Sequence, residues 1–260
     1  MNLLEDAISY FVRTTGFEII KHPDGRRNLR RRVSLGRKPI ADMKTILNVS
    51  PKCIFDVGAN DGETARRFSS SFPTATIYSF EPDHQTFRRL AETTRKLENV
   101  RIINRALGQS VGQASLFRNS FDATNSLLPS VEDAEEYVVR PDYLRPIGTE
   151  TVMIDTIDHF CSEQGIDGID ILKIDTQGYE LEVLAGASET LARRGVPLIY
   201  AEVSFIRFYE HQPLFDEVYG YLYDRDYRMV GIYETGYLTH YYQVGGNALF
   251  VHRSIGKRRD

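Results

Sequence analysis

The sequence predicts a doubly wound α/β domain with a mostly parallel sheet and an antiparallel edge strand. Three observations predict it. From about residue 52, short β-rich runs alternate with segments of helical periodicity, the pattern of strands joined by crossover helices. The first run leads directly into a glycine-containing turn and a helix, and the second ends in an acidic residue. The last two runs lie close in sequence, like a hairpin at one edge.

Taken in order, Leu3, Leu4, Ile8, Phe11 and Val12 fall at roughly helical spacing and suggest an amphipathic helix. A basic stretch follows, with Lys21, Arg26, Arg27, Arg30, Arg31, Arg32, Arg37 and Lys38. It reads either as a solvated loop or capping segment, or as a contact for phosphate groups, anionic lipid headgroups or a nucleotide-linked substrate. Residues 1–50 thus form a helical and basic extension, and residues 51–260 the main domain. Strands are expected there at Cys53–Val57, Thr76–Phe80, Val100–Asn104, Ile169–Ile174, Leu198–Val203, Tyr227–Tyr233 and Ala248–His252. Helices are expected near Glu63–Ser71, His84–Leu97, Glu180–Arg193 and Leu214–Arg225. An extra strand pair covers Gln113–Phe117 and Thr151–Ile154, with an irregular insertion between.

Composition narrows the class. Hydrophobic residues at 42% and charged residues at 26% are ordinary for a soluble globular protein. The net charge of −4 argues against a general nucleic-acid binder, which carries a basic excess. The 2 cysteines, Cys53 and Cys161, lie far apart and form no CxxC motif, so neither a disulfide framework nor a structural zinc is expected. No apolar run reaches the roughly 18 residues of a membrane span, and the N-terminus lacks a signal-peptide pattern. A cytoplasmic setting is expected, and the N-terminal helix offers a surface for a homodimer.

The strongest motif is Ile54-Phe55-Asp56-Val57-Gly58-Ala59-Asn60-Asp61-Gly62-Glu63-Thr64. Gly58 lets backbone approach a ligand closely, and the following helix start offers N–H groups to it. The second strand closes with Phe80-Glu81-Pro82, where a carboxylate can accept from both hydroxyls of a ribose. Gly58 and Gly62 do not make a GxGxxG, which favours a nucleoside without a pyrophosphate.

Further segments now fall into line. DVGANDGET from Asp56, SFEPDHQTFRRL from Ser79, INRALG from Ile103, Asn125-Ser126-Leu127, IDILKIDTQGYELEVLAGA from Ile169 and IYAEVS from Ile199 resemble, in order, the motifs of the FkbM family of methyltransferases. The resemblance covers roughly residues 50–252, and Lys173-Ile174-Asp175-Thr176-Gln177-Gly178-Tyr179-Glu180 is its most specific block. One departure is Thr176-Gln177-Gly178, where the family more often has Val-Glu-Gly; a site that needs a carboxylate at 177 is thereby put in doubt. The resemblance implies a Rossmann-like class I methyltransferase fold, S-adenosylmethionine as donor, and a hydroxyl acceptor on a sugar, glycan or polyketide-type metabolite. It also implies that Asp56, Gly58, Asn60 and Glu81, with Ala59 and Pro82 in the same motifs, form the cofactor site. Asn104 and Ala106 would lie near the adenine or its ribose, and Ser126 near the methionine portion or the acceptor.

Transfer to oxygen asks the protein mainly to align acceptor, methyl carbon and sulfur, and to remove a proton from a weak nucleophile. Asp175, at the carboxyl end of its strand, is the first candidate base; it also suits a helix N-cap. Lys173 shares its side of the strand and either orients the acceptor or forms a structural ion pair. Glu202 ends the next strand, where an acid needs a partner or an open position. Glu180 suits a backbone anchor in the Gly-Tyr-Glu turn. His211, in the loop from Phe205, is either a second base or an exposed loop residue. The aromatic run from Tyr233 to Tyr242, with His240, can stack on sugar rings or serve only as a hairpin. Asp175 and Glu202 could converge on Mg²⁺, but no ligand motif requires it, and no metal is expected. The competing readings are a nucleotide-dependent oxidoreductase and a non-catalytic binding protein on the same fold.

Overall fold

The computed structural model describes residues 17–21, 27–31, 35–133, 136, 140–193, 196–238 and 242–255. The helix expected from Leu3 to Val12 lies outside them, as does His240. Residues Phe17–Lys21 (β1) and Arg27–Arg31 (β2) pair antiparallel, Phe17 opposite Arg31. Part of the basic stretch, expected as a solvated loop or capping segment or as an anion contact, is therefore strand: Lys21 in β1 and Arg27, Arg30 and Arg31 in β2.

The main sheet has 7 strands. They are Cys53–Val57 (β3), Thr76–Phe80 (β4), Val100–Ile103 (β5), Ile171–Ile174 (β9), Leu198–Ser204 (β10), Tyr227–Leu238 (β11) and Tyr242–His252 (β12). Their order is β11-β12-β10-β9-β3-β4-β5. Strands β10, β9, β3, β4 and β5 run parallel, while β12 runs antiparallel to both β10 and β11. The strands of the centre are buried on both faces, which is why they read as near-continuous apolar runs. Alternation along them divides the core. Phe55, Val57, Leu172 and Ile174 join Phe80, Phe160, Leu184 and Phe250 on one face. Ile54, Ile171, Leu198 and Tyr200 join Met43, Ala65, Phe68 and Leu249 on the other.

Helices cover both faces. Pro39–Leu47 (α1) buries Met43, and its buried Asp42 accepts from the Tyr233 hydroxyl at 2.7 Å. Glu63–Ser71 (α2) buries Ala65 and Phe68. His84–Thr94 (α3) is capped by Asp83, which accepts from Thr86 N at 2.7 Å. A helix not expected from the sequence, Ile157–Gln164 (α4), is capped by Thr156. The single helix expected over Glu180–Arg193 is two, Glu180–Ala185 (α5) and Ser188–Arg193 (α6). At the break the Gly186 carbonyl accepts from Asp158 N at 2.9 Å instead of continuing the helix, and a Cβ there would lie 1.9 Å from Gly108 O. Phe215–Tyr223 (α7) is the last helix among the described residues.

The extra strand pair is present but longer than expected. Gly112–Asn119 (β7) pairs antiparallel with Pro146–Asp155 (β8), which also pairs with Ala106–Leu107 (β6). The insertion between β7 and β8 folds back on the sheet's carboxyl end. Val131 N donates to Phe208 O at 3.0 Å and Glu210 N to Pro129 O at 2.8 Å, joining the insertion to the loop after β10.

Candidate functional site

The chain order reverses at β3, which has β4 on one side and β9 on the other. In open α/β sheets the ligand crevice lies at such a switch point, beyond the carboxyl ends of the strands. A cavity opens there. Its wall includes Val57, Gly58 and Asn60 after β3; Phe80, Glu81 and Pro82 after β4; Arg105, Ala106 and Leu107 around β6; Asp122, Asn125, Ser126 and Leu127 of the insertion; and Asp175, Thr176, Gln177 and Tyr179 after β9.

Glu81 is 7% exposed and sits between two donors. Asn60 N donates to Oε2 and Asp83 N to Oε1, each at 2.9 Å. Burial pushes its carboxyl up to about 7, against the pull of these N–H groups. Each oxygen keeps a lone pair for a second donor from the cavity. The N–H groups of the turn that leads into α2 are used internally. Asn60 N serves Glu81, Asp61 N donates to Asn60 Oδ1 at 2.7 Å, and Gly62 N to Ala59 O at 2.9 Å. Gly58 is needed for a related reason. Its φ is +75°, and a Cβ would lie 1.8 Å from the Asp175 carbonyl oxygen, so the close neighbour is the protein's own backbone.

Beneath that turn lies a buried ion pair. Asp56 and Lys173 face each other in register, with Lys173 Nζ 3.2 Å from Asp56 Oδ1. Nζ also donates to Gly58 O at 2.7 Å and stands 3.6 Å from Asp175 Oδ2. Burial alone would push the ammonium down; Asp56 and Asp175 outweigh it and hold Lys173 above the ordinary lysine range. Burial pushes Asp56 up in spite of Lys173. The ammonium's contacts to carbonyl and carboxylate oxygens favour the charged pair. Lys173 and Asp56 therefore brace the glycine turn from behind, and neither lines the main cavity.

Asp175 does line it, half-exposed, with its side chain organised by Gln177. Gln177 Nε2 donates to Asp175 Oδ1 at 3.0 Å and to Glu202 Oε2 at 2.8 Å. The Tyr209 hydroxyl stands 3.1 Å from Gln177 Oε1 and 2.9 Å from Thr124 O, fixing the amide from the other side. An amide at this position supplies a donor to two carboxylates where a glutamate would add a third charge. Burial, with the charges of Asp175 and Glu180, raises Glu202 well above the usual carboxylate range. Glu180, 3% exposed, is spent on local backbone: Oε1 accepts from Thr176 N at 2.9 Å and Gly178 N at 3.2 Å. Among the described residues no group of three or more His, Cys, Asp and Glu is placed to hold a metal ion.

Of the residues singled out from sequence, Gly58, Asn60, Glu81, Pro82, Ala106, Ser126 and Asp175 line this cavity. Asp56, Ala59, Asn104, Lys173, Glu202 and His211 do not. Asn104 ties down the loop after β4, its Nδ2 donating to Glu81 O at 2.8 Å and Pro82 O at 3.0 Å. Ser126 lines the cavity but spends its hydroxyl on Gln177 O at 2.6 Å. His211 is exposed in a turn with φ 60°, whereas Tyr209 from the same loop is buried against Gln177. Arg105, Asp122, Asn125, Thr176, Gln177 and Tyr179 are the polar wall residues that sequence reasoning passed over as site members. Arg105 is held by Asp155 at 2.7 Å.

The chain was compared with known proteins. The family model for the methyltransferase FkbM domain matches residues 56–229. The 2-O-methyltransferase NoeI of Sinorhizobium fredii is 31% identical over 185 residues, covering 68% of this chain and 75% of that protein. The hexuronic acid methyltransferase AglP of Haloferax volcanii is 27% identical over 139 residues, covering 53% of this chain and 51% of that protein. Among solved structures, an rRNA methylase from Streptococcus thermophilus is 11% identical, covering 83% of this chain and 96% of that one at TM-score 0.45. Aeropyrum pernix fibrillarin, solved with S-adenosyl-L-methionine, is 14% identical, covering 91% and 94% at TM-score 0.42. With the family model spanning well over half its length, the chain belongs to the FkbM methyltransferase family.

Proposed function

We propose that the protein transfers the methyl group of S-adenosylmethionine to a hydroxyl of a sugar or sugar-bearing acceptor. The observation that carries the reading is Glu81, a buried carboxylate at the end of β4 that faces the same cavity as the Gly58 turn and Asp175. Its two oxygens have lone pairs left for hydroxyl donors, which fits a ribose, and the apolar wall of Phe80, Ala106, Leu107, Leu116 and Leu127 fits a purine. The FkbM membership favours this over an oxidoreductase. The names of the two relatives, a 2-O-methyltransferase and a hexuronic acid methyltransferase, support oxygen as the accepting atom and a sugar as its carrier.

When bound, S-adenosylmethionine supplies a methyl group already activated on a sulfonium. The rest falls to side chains. Glu81 accepts from the ribose hydroxyls, and Ala106 and Leu107 exclude water around the base. Asp175 receives the acceptor's hydroxyl proton at a side-chain oxygen. Gln177 holds Asp175 against Glu202, and Tyr209 holds Gln177, so the base is oriented before the acceptor arrives. Lys173 stands 3.6 Å from the Asp175 carboxylate and holds the Gly58 turn in place. The same reading takes residues 51–260 as the catalytic domain, with α1 packed on its sheet and the segment before α1 as an extension that can support a homodimer, in a reducing cytoplasm. No described helix is long and apolar enough to cross a membrane.

The test is transfer of label from S-adenosyl-[methyl-³H]methionine to a panel of neutral and acidic oligosaccharides. Label in a base-stable ether, matched by S-adenosylhomocysteine formed, is expected. Label only in a base-labile ester, or no use of the donor, overturns transfer to a hydroxyl.

A further inference from the structure

We propose that the acceptor is an anionic saccharide, bearing a carboxylate or a phosphate, that enters through a basic cleft on the α1–α2 side of the sheet. The proposal rests on the methyl-transfer reading and adds the acceptor's class and route. The cleft lies between α1, α2 and the β11–β12 hairpin, and Arg37, Lys38, Lys44 and Arg67 line it against one carboxylate, Glu234. The chain as a whole carries −4, so this concentration of positive charge is local. Glu234 does little to offset it. That carboxylate pairs with Arg67 at 3.2 Å and accepts from the Tyr200 hydroxyl at 3.0 Å. Arg37, Lys38 and Lys44 are exposed along the cleft, Lys44 with its ammonium 5.4 Å from the centre of the Phe72 ring.

The cleft leads inward. It shares Pro39, Ile40, Arg67 and Glu234 with a smaller cavity that runs to Lys173 and Asp175. Asp175 is also in the wall of the main cavity, so this residue borders both cavities. Their sizes divide the work. The outer cleft, about 500 Å³, holds a sugar, whereas the inner cavity, about 40 Å³, has room for only a few waters. A single ring hydroxyl can point into the inner cavity while the rest of the ring and its charge stay outside. The donor, held by the Glu81 side, and the acceptor, held by the cations, then approach Asp175 from different directions. A surface of one sign focuses ligands of the other and sets specificity more than raw affinity.

The experiment is calorimetric titration of the full chain, with and without S-adenosylhomocysteine, by digalacturonate, galactose 6-phosphate and neutral galactobiose. At least one anionic sugar is expected to bind about tenfold or more tighter than galactobiose, and added salt to shrink the difference. The tighter of the two identifies carboxylate or phosphate. Lys38→Glu with Lys44→Glu should abolish the preference and leave S-adenosylhomocysteine binding unchanged. Arg88→Glu, an exposed site on α3 outside both cavities, should preserve it. Equal binding of galactobiose, a preference that survives the double reversal, or no binding of any of the three overturns the proposal. S-adenosylhomocysteine binding without an anion preference refutes the cleft alone; an anion preference without S-adenosylhomocysteine binding refutes the donor reading instead.

Discussion

Replacing Lys173 with methionine separates a brace from a catalytic group. Lys173 is 4% exposed and Asp56 0%, so the substitution leaves a carboxyl in the core without its cation. It also removes the donor to Gly58 O at 2.7 Å, a contact that fixes the turn. Breaking a buried pair from one side costs about 3–5 kcal/mol. At roughly 2–4 °C per kcal/mol for a chain of this size, the melting temperature should fall by about 6–20 °C. The sign of the pH dependence follows from Asp56. Burial already raises its pKa, and losing Lys173 raises it further. The folded variant then holds a proton that the unfolded chain releases above the ordinary carboxylate range, so its stability is fullest at low pH and lost as pH rises. The deficit relative to the parent should be larger at pH 8 than at pH 5. Adding Asp56→Asn to Lys173→Met removes the stranded charge and should restore at least half of the loss. Calorimetric or urea melts measure all of this. A Lys173→Met protein melting within about 2 °C of the parent, or a double variant no more stable than the single, refutes the brace.

Other outcomes follow from the same geometry. Glu81→Ala should weaken S-adenosylhomocysteine binding roughly 100-fold, two charge-assisted hydrogen bonds at about 1.5–3 kcal/mol each less the water that replaces them. In the parent that affinity should strengthen as pH rises through about 7, where Glu81 ionises, and titrations at pH 6 and 8 read it. In the free protein the raised pKa acts the other way: Glu81's contribution to stability is full below its ordinary pKa and lost as pH climbs through about 7. Asp175→Asn should lower kcat about 100- to 1,000-fold while changing S-adenosylhomocysteine affinity by no more than about threefold; unchanged turnover excludes it as the base. Gly58→Ala should cost about 2–4 kcal/mol, because its Cβ falls 1.8 Å from Asp175 O at a φ of +75°, whereas Gly112→Ala meets open space and should cost under about 1 kcal/mol.

The parts of the fold that could be read were those where burial repeats a simple pattern. Cys53–Val57, Thr76–Phe80 and Glu63–Ser71 have the bounds that the sequence suggests, because the two strands are short β-rich runs bounded by turn residues and α2 buries Ala65 and Phe68 on one face. What escaped depends on contacts between distant segments. Gly186 is by itself a weak stop signal that a helical period can run through; what requires the glycine is the Gly108 backbone pressed against it. The short α4, 8 residues, has too few positions for its period to stand out. At the site, Gly58, Glu81 and Asp175 were legible because they end strands, and strand ends converge in this topology. Lys173 was less so, since sharing a side of β9 with Asp175 does not tell whether a side chain points up to the cavity or down to Asp56. The loop after β10 was the right place to look, but its turn exposes His211 and buries Tyr209, and Gln177, noticed only as a departure, proves to link Asp175 to Glu202.

Titration of the purified protein with S-adenosylhomocysteine, beside its Glu81→Ala variant and with NADH as a control, tests the central claim most directly. Saturable binding to the parent, lost or greatly weakened in Glu81→Ala, with no binding of NADH, is the expected result. Equal affinity in parent and variant, or binding of NADH alone, contradicts it.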